Sequence, residues 1–471
     1  MSRPDLPPAS ERPQNPSRRR ALFAASDLAL VAAAAPSLPA LAQPAAPPPL
    51  RVVHGFADHL SINLWLQGTR ADSLEIDVRL GDNATAKPVS TLAVQLDART
   101  DFTETLVVAG LEPGERYNYT VRSTKAKAVL ARGTFKTQVL WQWRTDPPTV
   151  RIVAGSCAYM NDFKYDRPGK PYGGGEEIFD NIAKLSPDLM LWLGDNIYTR
   201  EADYTSREGI NRRYRFYRSH PTMQKLWTAT PHVAIWDDHD FGPDNSDFSY
   251  SGAGWTHEMF LRYWPMPYSP PADGLYGKIL QGDVDIFMLD DRSYRYPEGW
   301  PQGATDKVMY GPKQMLWLKA ALTASRAPFK IIAGGSQFFN KVSTAECWVK
   351  YPAEQADFLR FLEERKIPGV IFLSGDRHFA TQHRIQRTGL YPLNEITTSP
   401  LTSGLSTVRD PERSNPDLVP GTLLSERNFA LITVTGPRTE RALTIAIRNT
   451  EGQKRWEWNA TAAELAQGTK A

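Results

Sequence analysis

Five short polar stretches each follow an apolar run, and together they hold the residue types that bind metal ions. They are Gly155-Ser156-Cys157, Gly194-Asp195-Asn196-Ile197-Tyr198, Asp237-Asp238-His239-Asp240 with Asn245 shortly after, Gly334-Gly335-Ser336-Gln337, and Ser374-Gly375-Asp376-Arg377-His378. Alone, each has a plain explanation, because a Gly-Asp at a strand end is ordinarily a turn or a helix cap. The Asp-Asp-His-Asp run is more pointed, since adjacent carboxylates repel and need a cation to offset them. Five such loops sharing one sheet edge would make a site. Carboxylates a few ångströms apart favour two ions, and a pair about 3.5–4 Å apart clamps the attacking and leaving oxygens of a phosphoryl displacement. A thiolate with a phenolate favours iron at one position, while an all-oxygen position suits calcium, magnesium or manganese. A bound metal also lowers the pKa of water from about 15.7 towards about 7, which supplies a hydroxide nucleophile.

These loops need parallel strands to carry them. Leu189–Leu193 is a continuous apolar run stopped by a glycine, the pattern of a strand buried on both faces. In open α/β sheets the carboxyl edge of such strands is where ligands bind. From about Pro147 onward, strands alternate with helices. Strands are expected at 150–154, 188–193, 232–236, 286–289, 330–333 and 370–373, and helices at 176–185, 206–227, 311–322 and 353–365. Alternation between Phe429 and Arg448 adds strands. The implied domain is a layered α/β fold with helices covering the sheets. Upstream, residues 51–137 alternate with period two, as in Leu60, Ile62, Leu64 and Leu66, which predicts a β-sandwich. The partition is residues 1–42 as a targeting segment, 43–145 as the sandwich, 149–450 as the site-bearing domain and 451–471 as a tail.

The chain of 471 residues is 41% apolar and 23% charged, with a formal charge of +3. Five arginines face three acids in residues 1–42, so the chain beyond them sits near +1. That balance makes no electrostatic case for nucleic acid or an acidic membrane surface. Ser17-Arg18-Arg19-Arg20-Ala21-Leu22 is a twin-arginine pattern, followed by a mildly apolar stretch and Ala40-Leu41-Ala42, a small-x-small cleavage site. The expectation is export by the twin-arginine machinery to the periplasm or beyond, with no transmembrane segment after cleavage. Only Cys157 and Cys347 are present. In an exported protein one disulfide is a natural reading of two cysteines, and it stays open beside metal binding by Cys157.

The ordered set of motifs resembles the PhoD-like alkaline phosphatase/phosphodiesterase family of the calcineurin-like metallophosphoesterase superfamily. The matching pieces are Gly155–Cys157, Gly194–Tyr198, Tyr214–Pro221, Trp236–Asp240, Leu289–Arg295, Gly311–Leu318 and Ser374–His378. The resemblance implies a metallophosphoesterase-like β-sandwich core with flanking helices, preceded by a fibronectin III-like β-sandwich. It implies ferric iron held by Cys157, Tyr198 and His378, with Asp195 bridging to a second site. There Asp238 and Asp376 would hold calcium or another divalent metal. His239 would steer phosphate or protonate the leaving oxygen. The run from Asp240 to Asn245 departs from the family's commoner pattern, with Asn245 taking the nearby polar role. Gln337 is the candidate where the superfamily has one more His ligand.

Arg292, Arg295 and Arg377 have the chemistry to hold phosphate oxygens, and ion pairs with Asp290, Asp291 or Asp376 are their alternative. The function that follows is hydrolysis of small-molecule or polymer phosphate esters by a metal-bound hydroxide, with His239 and Arg292 catalytic. Two alternatives remain: a phosphodiesterase dedicated to phospholipid or cell-wall polymer, and a surface binding protein with a degenerate metal domain.

Overall fold

The computed structural model describes residues 48–301, 306–343 and 345–468; the twin-arginine segment lies outside them. The predicted sandwich is present as a three-stranded sheet in the order 50–57, 61–68, 103–109 and a four-stranded sheet in the order 90–96, 72–80, 116–123, 128–136. The period-two alternation explains the packing: Ile62, Leu64 and Leu66 from one sheet and Leu74, Ile76 and Val78 from the other share one apolar core. Trp65 points the opposite way, and its indole N–H donates to the Arg262 carbonyl at 2.7 Å in the following domain.

That domain stacks two six-stranded mixed sheets. One runs 232–235, 189–193, 150–155, 428–435, 442–449, 454–461, and its first three strands are parallel. The other runs 277–281, 284–288, 329–333, 370–374, 390–397, 381–387, with four parallel strands at its centre. The strand Leu189–Leu193 shows why its sequence is uninterrupted. Leu189, Leu191 and Leu193 face the core between the sheets, while Met190 and Trp192 face the outer helices. Both faces are covered, so no polar residue is tolerated on either.

Three expectations need correction. The single helix predicted over 206–227 is two, Arg207–Ser219 and Gln224–Ala229, with a short 3-10 turn at Pro221–Met223 between them. Pro221 has no N–H to donate and ends the first helix. The stretch 451–471, read as a tail, contains strand Lys454–Thr461, which completes the first sheet by pairing with Ala442–Asn449. Strands Gly277–Gln281, Thr381–Arg387 and Leu390–Thr397 are additional to those the sequence pattern predicts. The first two close the edges of the second sheet. A sequence such as Thr381-Gln-His-Arg-Ile-Gln-Arg gives little apolar signal because its buried positions, Thr381, Gln382 and His383, are polar. Among the described residues no helix is long and apolar enough to cross a membrane.

Candidate metal centre

The parallel strands of both sheets deliver their polar loops to one edge. Strand Val150–Gly155 ends on Cys157, Leu189–Leu193 on Asp195, His232–Ile235 on Asp238, and Val370–Ser374 on Asp376 and His378. The backbone there is unusual. Cys157 (φ 59°), Asp195 (φ 50°), Asp376 (φ 63°) and His378 (φ 57°) all occupy the left-handed region. A side chain disfavours that region by about 1–3 kcal/mol per residue, so the surrounding structure must enforce it. Four of the six predicted ligands share this strain. Gly194 (φ 84°) turns the chain just before Asp195, where an added Cβ would lie 2.5 Å from that of Asp237.

Asp195 is the centre of the arrangement. Its Oδ2 accepts from the Tyr198 hydroxyl at 3.0 Å and lies 3.5 Å from Cys157 Sγ. Its Oδ1 accepts from the His239 backbone N–H at 3.3 Å. Tyr198 Oη is also 3.1 Å from His378 Nε2. Donor atoms of Cys157, Asp195 and His378 lie within 4.8 Å of one another, as do those of Asp195, Asp238 and His239, and those of Asp237, Asp238 and Glu346. The predicted ligands Cys157, Asp195, Tyr198, Asp238 and His378 are therefore brought together. Asp376 lies half-buried beside them, outside those three sets, with its Oδ2 out of solvent and unpaired.

The electrostatics call for a cation. Burial and then Asp238, Asp240 and Asp376 push the Asp195 carboxyl well above the usual carboxylate range. Burial likewise raises Asp376 to about 7, against the pull of Arg377 and with the push of Glu346 and Asp238. Burial and the neighbouring Asp195 drive the Cys157 thiol and the Tyr198 phenol upward. Burial lowers His378 to about 4. The oxygens Asp237 Oδ2, Asp291 Oδ1 and Asp376 Oδ2 and the nitrogen His239 Nδ1 have no hydrogen-bond partner. Orphaned acceptors in a surplus of buried carboxylates fit divalent or trivalent ions.

His239 stands at the mouth, its ring 4.2 Å from that of Tyr198 and its Nε2 3.6 Å from Asp244. Burial holds its pKa below the usual value, opposed by Asp238. Arg292 is corrected. It is 0% exposed, and its guanidinium is filled by Asp237, Glu346, Ser336 and the Ser246 carbonyl, so it reaches no substrate in this arrangement. Arg295 ends on Glu346 and Glu298, and Arg377 on Glu412. Asn245 contributes its backbone N–H to Asp238 Oδ2 at 2.7 Å rather than its side chain. Gln337 is spent on Thr397 and Asn340. Both cysteines are free and buried, which overturns the disulfide.

The sequence gives no sign of Glu346, which lies in no motif and is found only because the chain folds it onto Arg292 and Asp237. The same is true of Ser399, whose hydroxyl donates to Cys157 Sγ at 3.2 Å, and of Tyr172, whose hydroxyl is 3.2 Å from His378 Nδ1. No local signal marks either one.

A family model for PhoD-like phosphatases matches residues 153–419. Alkaline phosphatase D of Bacillus subtilis (strain 168) is 24% identical over 319 residues, covering 57% of this chain and 52% of that protein. The match thus spans about half the length of that curated relative. Among solved structures, that of PhoD superposes with a TM-score of 0.70 at 19% identity, over 87% of this chain and 88% of that one. Purple acid phosphatase PPD1 from yellow lupin (Lupinus luteus) superposes with a TM-score of 0.63 at 11% identity, over 88% and 74%. At those identities the two structures speak for the metallophosphoesterase-like fold.

Proposed function

The chain belongs to the PhoD-like phosphatase family, and from that premise we propose that it is an exported, metal-dependent hydrolase of phosphoric esters. The observation that carries this reading is Asp195, with one carboxylate oxygen turned to a thiol and a phenol and the other towards the loop of Asp238 and His239. Cys157, Tyr198 and His378 would hold ferric iron, since thiolate and phenolate suit it. Asp238 and Asp376, with Asp237 and Glu346 near them, would hold calcium or another divalent ion, since their donors are all oxygen. When bound, such ions supply Lewis acidity and an activated water. The chain's own contribution is to hold the ester's phosphorus at this edge. His239 then stands ready at the mouth to give a proton to the leaving oxygen.

Residues 43–145 are read as a fibronectin III-like packing module. In support, Tyr117 Oη accepts from the Glu112 backbone N–H at 2.7 Å, which ties a strand to the loop before it. Export rests on Ser17–Leu22 and is tested by replacing Arg18 and Arg19 with Lys and following the protein between cytoplasm and periplasm. The catalytic reading is tested by elemental analysis of purified protein together with turnover of mono-aryl and bis-aryl phosphates. A protein that holds no metal and hydrolyses neither ester would overturn it. Preference for the bis-aryl ester would mark a phosphodiesterase.

A further inference from the structure

Four arginines lie around the centre, and three are committed to carboxylates. Arg292, Arg295 and Arg377 end on Asp237, Glu346, Glu298 and Glu412. Arg200 differs. It is 8% exposed, and its side chain makes one hydrogen bond, from Nε to Tyr159 Oη at 3.3 Å. Among the described residues no carboxylate reaches it within ion-pair distance; burial disfavours its charge, and the hydrogen bond to Tyr159 favours it. Its guanidinium carbon lies 4.8 Å from the ring centre of Tyr159, 5.5 Å from that of Tyr198 and 5.9 Å from that of Tyr172. Aromatic faces hold a guanidinium in a fixed plane by cation–π attraction. They accept none of its Nη hydrogens in the plane, where a carboxylate or phosphate would.

Arg200 lines a cavity of about 490 Å³ that begins at Tyr198 and His239 and runs out to Lys170 and Phe163. The space is larger than a phosphoryl group needs and lies in the range of sites for whole small ligands. Lys170 is exposed at its outer end. A guanidinium with no ion-pair partner among the described residues, in the wall of a cavity that opens at His239 and carries Arg167 and Lys170 beside Asp166 and Asp244, is placed to receive an incoming anion.

Resting on the hydrolase reading above, we propose that Arg200 is a specificity-determining residue: its Nη groups receive an anionic oxygen of the bound ester, in a plane set by Tyr159, Tyr172 and Tyr198. That oxygen belongs either to the scissile phosphoryl group or to a second anionic group on the ester side. The shared chemistry is a paired, charge-assisted hydrogen bond.

The test uses metal-loaded full-length protein, wild type, Arg200→Gln and Arg200→Lys, with melting temperatures recorded for all three. Inorganic phosphate binding is measured by calorimetry. Hydrolysis is followed with methyl 4-nitrophenyl phosphate, neutral on its ester side, and carboxymethyl 4-nitrophenyl phosphate, anionic there. If the scissile group is held, Arg200→Gln weakens phosphate binding about tenfold or more and both esters lose alike in KM. If a second anion is held, phosphate binding stays within about twofold and only the carboxymethyl ester loses about tenfold. Arg200→Lys restores part of either loss because it keeps the charge. Unchanged phosphate binding with unchanged discrimination between the esters overturns the proposal. So does a loss that follows the melting temperature and is the same for Lys and Gln. A wild-type protein that hydrolyses neither of these diesters nor 4-nitrophenyl phosphate, a monoester, sinks the hydrolase reading, while the phosphate titration of the variants still decides Arg200.

Discussion

On one side of Asp195 lie a thiol, a phenol and an imidazole, with Arg200 packed on the phenol's ring and, among the described residues, no cation ion-paired inside the group; on the other lie carboxylates, threaded by two buried arginines. The first end lies on left-handed backbone at Cys157, Asp195 and His378, a strain that Asp376 of the second end shares, and takes hydroxyl contacts such as that of Ser399. The second is held by charge: Arg292 lies between Asp237 and Glu346, and Arg295 adds to Glu346. Two guanidinium groups do not neutralise Asp237, Asp238, Asp291, Glu346 and Asp376. One protein thus uses two means to keep its donors aimed. Soft donors need their geometry enforced. Hard donors repel each other and need permanent cations to remain close until an ion arrives.

The contrast between the two ends is tested most severely at the residue they share. Asp195→Asn should lose metal from both ends and lower turnover by at least about a thousandfold, because the activated water goes with the metal. By elemental analysis, Cys157→Ala should lose iron and keep the divalent ion, while Asp238→Asn should do the reverse. If either single variant empties both sites equally, the two ends are one site. His239→Gln should keep both metals and lower kcat by about 10²–10⁴-fold, the range for removing a positioned proton donor. Full activity in that variant would remove His239 from the chemistry.

Arg292→Met probes the hard end alone. It should destabilise the fold by about 3–5 kcal/mol, because it leaves Asp237 and Glu346 buried without their cation. Denaturant midpoints would check this, and a fully stable variant with a raised KM would return Arg292 to substrate binding. The smallest effect is expected at Glu395, which props the loops of the hard end through Phe338, Phe339 and Ser374. Burial raises its pKa to about 7 against those donors. A carboxyl raised on folding favours the folded state below about 4.5, its unfolded value, and that contribution is lost as pH rises through about 7. Glu395→Gln should therefore vary less with pH between about 5 and 8, with any deficit in melting temperature shrinking as pH rises through about 7. An unchanged slope would show that Glu395 is ionised in the fold.

Much of the molecule is legible in the chain because its signals are local. Leu189–Leu193 announces a doubly covered strand, and Gly194-Asp195 and Gly375-Asp376 announce turns at strand ends. The donor types are read from those loops, while the placement of Cys157 and Tyr198 on one side of Asp195 comes only from the family resemblance. Pro221 is equally visible, yet the residues around it read as one helix and only the fold shows the break. Glu346, Ser399 and Tyr172 are not legible, since each reaches the site from a stretch with no motif, and Arg200, two residues past Tyr198, carries no local sign of its tyrosine partners.

The amino-acid order alone marked the doubly covered strands and most of the helices of the layered domain and the chemical kind of its donors, because apolar periodicity and side-chain identity act over a few residues. Only the tertiary structure decided which charges meet. Arg292, Arg295, Arg377 and Arg200 are the same side chain, and nothing adjacent in the chain separates them. Three are folded onto carboxylates and one onto tyrosine faces at an open cavity. Coulomb and ring contacts between distant segments, and the water each segment excludes, make that choice.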